Sequence, residues 1–308
     1  MLDEHNYLCY SVSMEIRELK YFLAVAREQN LSRAAEAAFT TQPNITRQMQ
    51  KLEKEIGQPL FVRGRKITLT ETGQLLYRRA EEIVELLDRT HAELSAPTTD
   101  ITGEVYIGGG ESYANSVIAG ATKAVRTDYP NIRFHFFSGD TIEVAERLDK
   151  GLIDFGIMIE PADLSKYEYV RLPLTDTWGV LMRKDSPLAE REYIIPENLS
   201  DLPLILSKHS VGKSMIGEWL GQSPEQLNIA ATYNLIFNAS LLVEAGIGYA
   251  IGLDGLINTS GGNLCFRPLY PKFETHIDLA WKRYRTFSKP AQIFLQYFKT
   301  ELLKKATK

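Results

Sequence analysis

Ile45, Met49, Leu52 and Ile56 recur at spacings of 4, 3 and 4 between Thr41 and Gly57. That spacing writes a helix with one narrow apolar stripe and a polar remainder. Thr41 suits its cap, Pro43 is tolerated in its first turn, and Gly57 is a stop. Upstream, Ile16, Leu19, Phe22, Leu23 and Ala26 share the face of an earlier helix. Between the two, Ser32 reads as the N-cap of a short helix whose Ala34, Ala35 and Ala38 permit close approach. Phe39 and Thr40 then make a tight turn. Two short helices across such a turn are helix-turn-helix geometry, whose second helix enters the major groove. Its outer face offers Thr41, Gln42, Asn44, Thr46, Arg47 and Gln48, side-chain types that read base edges. Any solvated helix face is also polar, so the segment that follows carries weight.

After Gly57, the runs Leu60-Phe61-Val62 and Ile67-Thr68-Leu69 flank Arg63, Gly64, Arg65 and Lys66. Two short apolar runs around a basic, glycine-bearing centre read as a β-hairpin. Arg63, Arg65 and Lys66 at its tip would meet phosphates or the adjacent minor groove. The charge distribution agrees. Residues 14–70 hold ten lysines and arginines against six acids, a local charge of +4, within a chain of net charge −4. The remainder is therefore −8. A basic head on an acidic body implies that one domain faces a polyanion.

On these residues the chain resembles the LysR-type transcriptional regulators. The resemblance runs through the opening 14–22, Ser32-Arg33-Ala34-Ala35, Thr41 to Gln48, Leu52-Glu53, and Gly57 to Phe61. It implies that Thr41, Gln42, Pro43, Asn44, Thr46 and Arg47 read bases, with Ser32, Arg33 and Lys51 as further DNA contacts. Asn44 departs from the small residue common in the family, so the operator sequence is not transferable.

From Glu71 to Ser95 there is no proline and a single glycine, Gly73. Leu76, Ala80, Ile83, Leu87, Thr90 and Leu94 recur at heptad spacing, with Thr90 the weak position. Two readings stand: a helix packed on its own domain, or a seam that pairs two chains. The resemblance implies the second, with Leu76, Ala80, Ile83, Leu87 and Leu94 as the dimer contacts.

Beyond the small polar segment Ala96-Pro97-Thr98-Thr99-Asp100, strand and helix patterns alternate. Val105–Ile107, Ile132–Phe137 and Phe155–Ile159 read as strands, with helices from about Tyr113 and around Val144 and Leu148. Such alternation implies a parallel sheet, with ligands beyond the carboxyl ends of its strands. Further strands are expected at Trp178–Met182, Leu204–Leu206, Tyr249–Ile251 and Leu279–Lys282. Between and after them, helices are expected on Ile216 and Trp219, on Leu241, Leu242, Ala245 and Ile247, and over Ala291–Leu303. The chain then crosses between two lobes and returns. The stretches 149–157 and 243–248 resemble the LysR effector domain, which has the fold of periplasmic solute-binding proteins. That resemblance places an effector against Glu111, Ser112, Gly139, Asp140, Thr141, Glu160, Ser207, Lys208, His209 and Asn238. Hydroxyls and N–H groups at helix starts suit an anion such as a carboxylate, although ordinary capping explains them too. Glu111 and Asp140 oppose a dianion while Lys208 and His209 favour an acid, so the effector's charge stays open. Gly108-Gly109-Gly110 lacks a nucleotide-loop spacing.

The five histidines, at 5, 91, 135, 209 and 276, are scattered, and no HExxH or GxSxG pattern occurs. Cys9 and Cys265 give neither a metal spacing nor a disulfide framework. Neither a catalytic role nor a metal or cofactor other than the effector is expected. There is no apolar run of about 18 residues, so a membrane span is not expected. A solute-binding protein would need an export signal and would not need the basic head.

The expected architecture is an N-terminal all-α winged helix-turn-helix plus linker helix, then a C-terminal α/β two-lobed periplasmic-binding-protein-like effector domain. Its divisions are an extension over 1–13, ahead of a natural start at Met14, the head over 14–71, the dimerisation helix over 72–95, and a linker over 96–103. The effector domain follows over 104–308, with lobe I at 104–175 and 276–308 and lobe II at 176–275. The expected partners are a double-stranded operator and further copies of the chain, as a homodimer and a homotetramer built as a dimer of dimers. RNA polymerase is a further candidate, no membrane is expected, and the expected location is the cytoplasm.

Overall fold

Small side chains let three helices meet near the amino end. A computed structural model describes residues 14–64, 66–95, 101–208 and 215–306. The extension 1–13, segment 96–100, Arg65 and His209 lie outside the described residues. The chain divides into two compact units between Ser95 and Ala96.

In the first unit, α1 (Ile16–Glu28) ends at Gln29 in the left-handed conformation, φ 51°. Helix α2 (Leu31–Ala37) begins one residue ahead of Ser32, so Asn30 caps it instead. The Asn30 side chain accepts from the N–H groups of Ser32 and Arg33 at 2.9 and 3.1 Å. Thr41 precedes α3 (Gln42–Ile56) with extended backbone but makes no side-chain cap. Gly57 stops α3 at φ 76°. Phe22, Leu23, Ala34, Ala35, Ile45, Met49 and Leu52 form the buried centre. The alanines let α2 lie close to its neighbours, and the α3 stripe supplies the bulk.

Strands β1 (Phe61–Val62) and β2 (Thr68–Leu69) pair antiparallel, Phe61 opposite Leu69. Helix α4 (Glu71–Ser95) follows at once. A Cβ on Gly73 would lie 2.1 Å from the Leu60 carbonyl oxygen, so only glycine permits α4 to pass the hairpin this closely. Lys20–Asp88 and Arg27–Glu81 ion pairs, at 3.0 and 3.2 Å, tie α4 to α1. Part of the expected seam is therefore used internally. Ala80 is 0% exposed in the head core, and Leu76, Tyr77 and Val84 pack against the same cluster. Ala80, expected at the dimer contact, is thus buried inside the head, while Leu76 is half-buried. Ile83 and Leu94 are 42% and 82% exposed, Leu86 is also exposed, and Leu87 is half-buried.

In the second unit, β3 (Gly103–Gly109), α5 (Asn115–Asp128), β4 (Ile132–Ser138), α6 (Thr141–Asp149) and β5 (Phe155–Ile159) form the first α/β layer. β3 runs parallel to both β4 and β5. A Cβ on Gly108, Gly109 or Gly110 would come within 2.7–2.8 Å of Ile153, Ile157 or Ile159 side chains. The glycine run makes room for isoleucines. Strand β6 (Tyr167–Arg183) pairs with β11 (Glu274–Lys282) up to Thr177 opposite Glu274. From Trp178 it pairs with β9 (Tyr249–Leu253), and from Gly179 also with β10 (Leu264–Pro268). One strand thus serves both lobes, and β11 carries the chain back. The second lobe also contains β7 (Leu204–Ser207), α7 (Met215–Leu220), β8 (Ile229–Tyr233) and α8 (Ile236–Glu244), and α9 (Lys289–Ala306) closes the first. The hydrogen-bonded strand order is β4-β3-β5-β11-β6-β9-β7-β8, with β10 on β6.

Phe155, Phe294, Phe298, Val105 and Ile107 anchor the first lobe. Val180, Leu204, Leu206, Ile216 and Ile251 anchor the second. Helix α8 buries Ile236, Ala239, Ser240 and Val243, not Leu241 or Ile247, which are exposed. The expected packing stripe was one face off because the helix starts at Ile236 and ends before Ala245.

Candidate functional site

Two sites emerge, one in each unit. On α3, Thr41, Gln42, Pro43 and Arg47 are exposed, while Ile45, Met49 and Leu52 on the opposite face are buried. Ser32 Oγ donates to Gln42 Oε1 at 3.2 Å, linking α2 to the start of α3. Asn44 is half-buried, and its amide is already engaged. It donates to Thr40 Oγ1 at 2.9 Å and accepts from Arg47 Nη2 at 3.3 Å. Asn44 therefore orients Arg47. Thr46 donates back to the Gln42 carbonyl at 2.9 Å. Arg33 donates to the Glu28 carbonyl at 3.0 Å.

Besides Arg33, which also lies 3.8 Å from the Glu28 carboxylate, Lys51 and Arg63 have internal acidic partners. Lys51 Nζ lies 2.8 Å from Glu18 Oε1, whose side chain is 1% exposed, and 3.5 Å from Glu55. Burial alone would push the Glu18 carboxyl up. The Lys51 hydrogen bond, the Glu15 N–H and the charges of Lys51 and Arg17 outweigh it and hold that carboxyl below its ordinary range. Lys51 thus neutralises a buried acid, while its side chain stays 47% exposed. Arg63 pairs with Glu53 at 3.1 Å, anchoring the base of the hairpin. Lys66 is exposed beside the tip.

In the second unit a cleft of about 100 Å³ opens between the lobes. The carboxyl ends of β3, β4 and β5 bring Gly110, Glu111, Gly139, Asp140, Thr141 and Glu160 to one wall. Trp178, Ser207, Tyr233, Asn234, Ile236, Leu253 and Leu256 form the other. Of the expected contacts, Glu111, Gly139, Asp140, Thr141, Glu160 and Ser207 come together here. Ser112, Lys208 and Asn238 do not line it. Ser112 is buried, accepts from the Ala114 N–H at 3.0 Å and partners Asp176. Lys208 and Asn238 are exposed.

The N–H groups that would have attracted an anion already have acceptors. Asp140, not Thr141, caps α6, accepting from the N–H groups of Ile142 and Glu143 at 2.9 Å. Thr141 Oγ1 donates to the Ile159 carbonyl at 3.3 Å. Glu111 crosses the cleft and accepts from the Ile236 N–H at 2.5 Å, at the start of α8. Burial, together with the Glu111 charge, pushes the Tyr233 hydroxyl well above its ordinary range, and that hydroxyl donates to the Ile251 carbonyl at 2.7 Å. Asp176, behind the cleft, is raised by burial and by Asp254, against hydrogen bonds from Ser112 and the Tyr113 N–H.

Sequence reasoning missed Trp178, Tyr233, Asn234, Ile236, Leu253 and Leu256. Tyr233 and Asn234 follow from β8, a short strand whose pattern, Ile229 to Tyr233, mixes small and polar residues. A signal was available at Trp178, which ends the shared stretch of β6 where the chain changes lobes.

Comparison with known proteins agrees with this geometry. Residues 16–74 match the family model described as bacterial regulatory helix-turn-helix protein, lysR family. Residues 99–303 match the LysR substrate binding domain. The chain is 28% identical over 288 residues to the uncharacterised HTH-type transcriptional regulator YybE of Bacillus subtilis, spanning 92% of this chain and 98% of that protein. It is also 28% identical over 276 residues to the Hca operon transcriptional activator HcaR of Escherichia coli, spanning 88% and 92%. Among solved structures it resembles full-length CbnR complexed with its target DNA. The TM-score is 0.70 at 21% identity, covering 94% of this chain and 100% of that one. A helix-turn-helix joined to a two-lobed substrate-binding domain, matched over both parts, makes this chain a member of the LysR family of transcriptional regulators.

Proposed function

We propose that the chain binds a double-stranded operator through Gln42, Pro43 and Arg47, with Thr41, Thr46, Ser32 and Arg33 beside them. Asn44 sets the direction of Arg47, and Lys66 follows the backbone next to the groove. The observation that supports this most is the division of α3: Ile45, Met49 and Leu52 are buried while Gln42 and Arg47 face outward. A helix packed along one stripe leaves its other face free to enter a groove. Phosphate contacts position the head, and side chains on that face specify sequence.

The cleft, on this reading, holds a small-molecule effector against Glu111, Gly139, Asp140, Thr141, Glu160 and Ser207. The chain acts by binding, without catalysis. Two chains pair along the outer half of α4 through Ile83, Leu87 and Leu94, and dimers pair again into a tetramer in the cytoplasm. Two linked heads on two half-sites raise effective affinity without any new contact. The effector changes the geometry of the assembly, and hence contact with RNA polymerase, only as far as it binds one state more tightly than the other.

Footprinting of genomic fragments by the full-length protein, repeated with candidate metabolites, tests this. The expected result is a protected interval containing two half-sites whose length or bending changes with one metabolite. Absence of any protected interval would contradict the reading.

A further inference from the structure

We propose that the effector is a small organic cation rather than a carboxylate. This rests on reading the cleft as the effector site. Three carboxylates, Glu111, Asp140 and Glu160, stand on its wall, and no Lys, Arg or His is among the described lining residues. The helix starts facing the cleft already have internal anions: Glu111 at Ile236, and Asp140 at Ile142 and Glu143. An incoming carboxylate would have to displace an acid of the chain and lie beside the others.

Arg171 does not change this balance. Its guanidinium holds buried Asp278 through two hydrogen bonds, at 3.1 and 3.2 Å, and also contacts Glu160. One cation is thus shared by two carboxylates, and the formal charges of the three sum to −1. Glu111 Oε1 and Asp140 Oδ2 have no hydrogen-bond partner among the described residues, so both can accept from an ammonium group.

Trp178 and Tyr233 line the same cleft, and their rings give an ammonium favourable aromatic neighbours.

The test uses thermal unfolding and calorimetry of the full-length protein with three matched probe series. Amino-acid amides carry an ammonium and a carbonyl. N-acetyl amino acids carry a carboxylate and a carbonyl. N-acetyl amino-acid amides carry no charge. Each series spans several side chains at concentrations up to about 10 mM, where binding of the native state alone raises Tm. The expected result is stabilisation by members of the ammonium series, with affinity falling about tenfold in Glu160→Gln and in Glu111→Gln. Both variants are first checked for an unaltered unfolding transition without ligand, and Gln keeps an acceptor for the Ile236 N–H.

The proposal is overturned if matched carboxylates bind more tightly, if the variants bind ammonium probes as well as the parent, or if no ammonium probe binds. Binding of uncharged or anionic probes that Trp178→Phe weakens would leave the cleft as the effector site and remove only the charge assignment. No stabilisation by any series would remove both.

Discussion

Glu53 on α3 holds the hairpin through Arg63. Its Oε2 lies 3.1 Å from Arg63 Nη2, and its Oε1 accepts from the N–H groups of Leu60 and Phe61 at 2.9 and 3.3 Å. A single carboxylate thus fixes the spacing between α3, the helix proposed to read the groove, and the strand pair beside it. Replacing Glu53 with Ala strips two backbone donors and one cation of their acceptor. The expected loss is about 2 kcal/mol of head stability. DNA affinity should fall for all sequences alike, with sequence preference kept, as read by denaturant titration and by anisotropy on specific and random duplexes.

The Glu18–Lys51 pair predicts a pH dependence. The Glu18 carboxyl titrates below its ordinary value of 4.5 in the folded chain. Its stabilising contribution is therefore complete above that value and is lost as pH falls through the lower folded value. Urea denaturation from about pH 7 to about pH 3.5 should show Glu18→Gln less stable than the parent at the upper end, with the gap closing at the lower end. Lys51→Met should lower the stability of the head, since it leaves a buried carboxylate without its partner.

Helix α4 divides its apolar side chains between two tasks. Ala80 is in the head core, and Ile83 and Leu94 are outside it. Ile83→Glu with Leu94→Glu should convert the tetramer to dimers in sedimentation velocity while leaving the head folded. Ala80→Leu should do the reverse, lowering stability by about 1–3 kcal/mol through overpacking. Tetramers that survive the double substitution would remove the outer face of α4 from the interface.

The sequence made the head readable because its signals are local. The α3 stripe, the small residues of α2 and the glycine stop all act within a few turns, and each has its expected place. What failed there was the fate of individual cations. Lys51 and Arg63 look free in sequence because their partners, Glu18 and Glu53, lie 33 and 10 residues away. The hydrogen bonds of the Asn44 amide to Thr40 and Arg47 were likewise not legible in the sequence. In the effector domain, strands β3 and β5 and helix α9 were legible from periodicity. β8 and β10 were not, because Ile229–Tyr233 mixes small and polar residues and Leu264–Pro268 ends in arginine and proline. Tyr233 and Asn234 of the cleft wall went with β8. The carboxylates of the first lobe were identified, but their charge could not be interpreted until Glu111 was seen to engage Ile236 in the opposite lobe.

The most direct measurement is a selection of double-stranded oligonucleotides from a random pool by the full-length protein, run in parallel with the Gln42→Ala, Arg47→Ala double variant. The parent is expected to enrich one motif in two half-sites, and the variant, with unchanged stability, to lose that preference while keeping salt-sensitive binding to bulk DNA. No enrichment by the parent, or the same motif from the variant, would contradict the assignment of α3 as the reading helix.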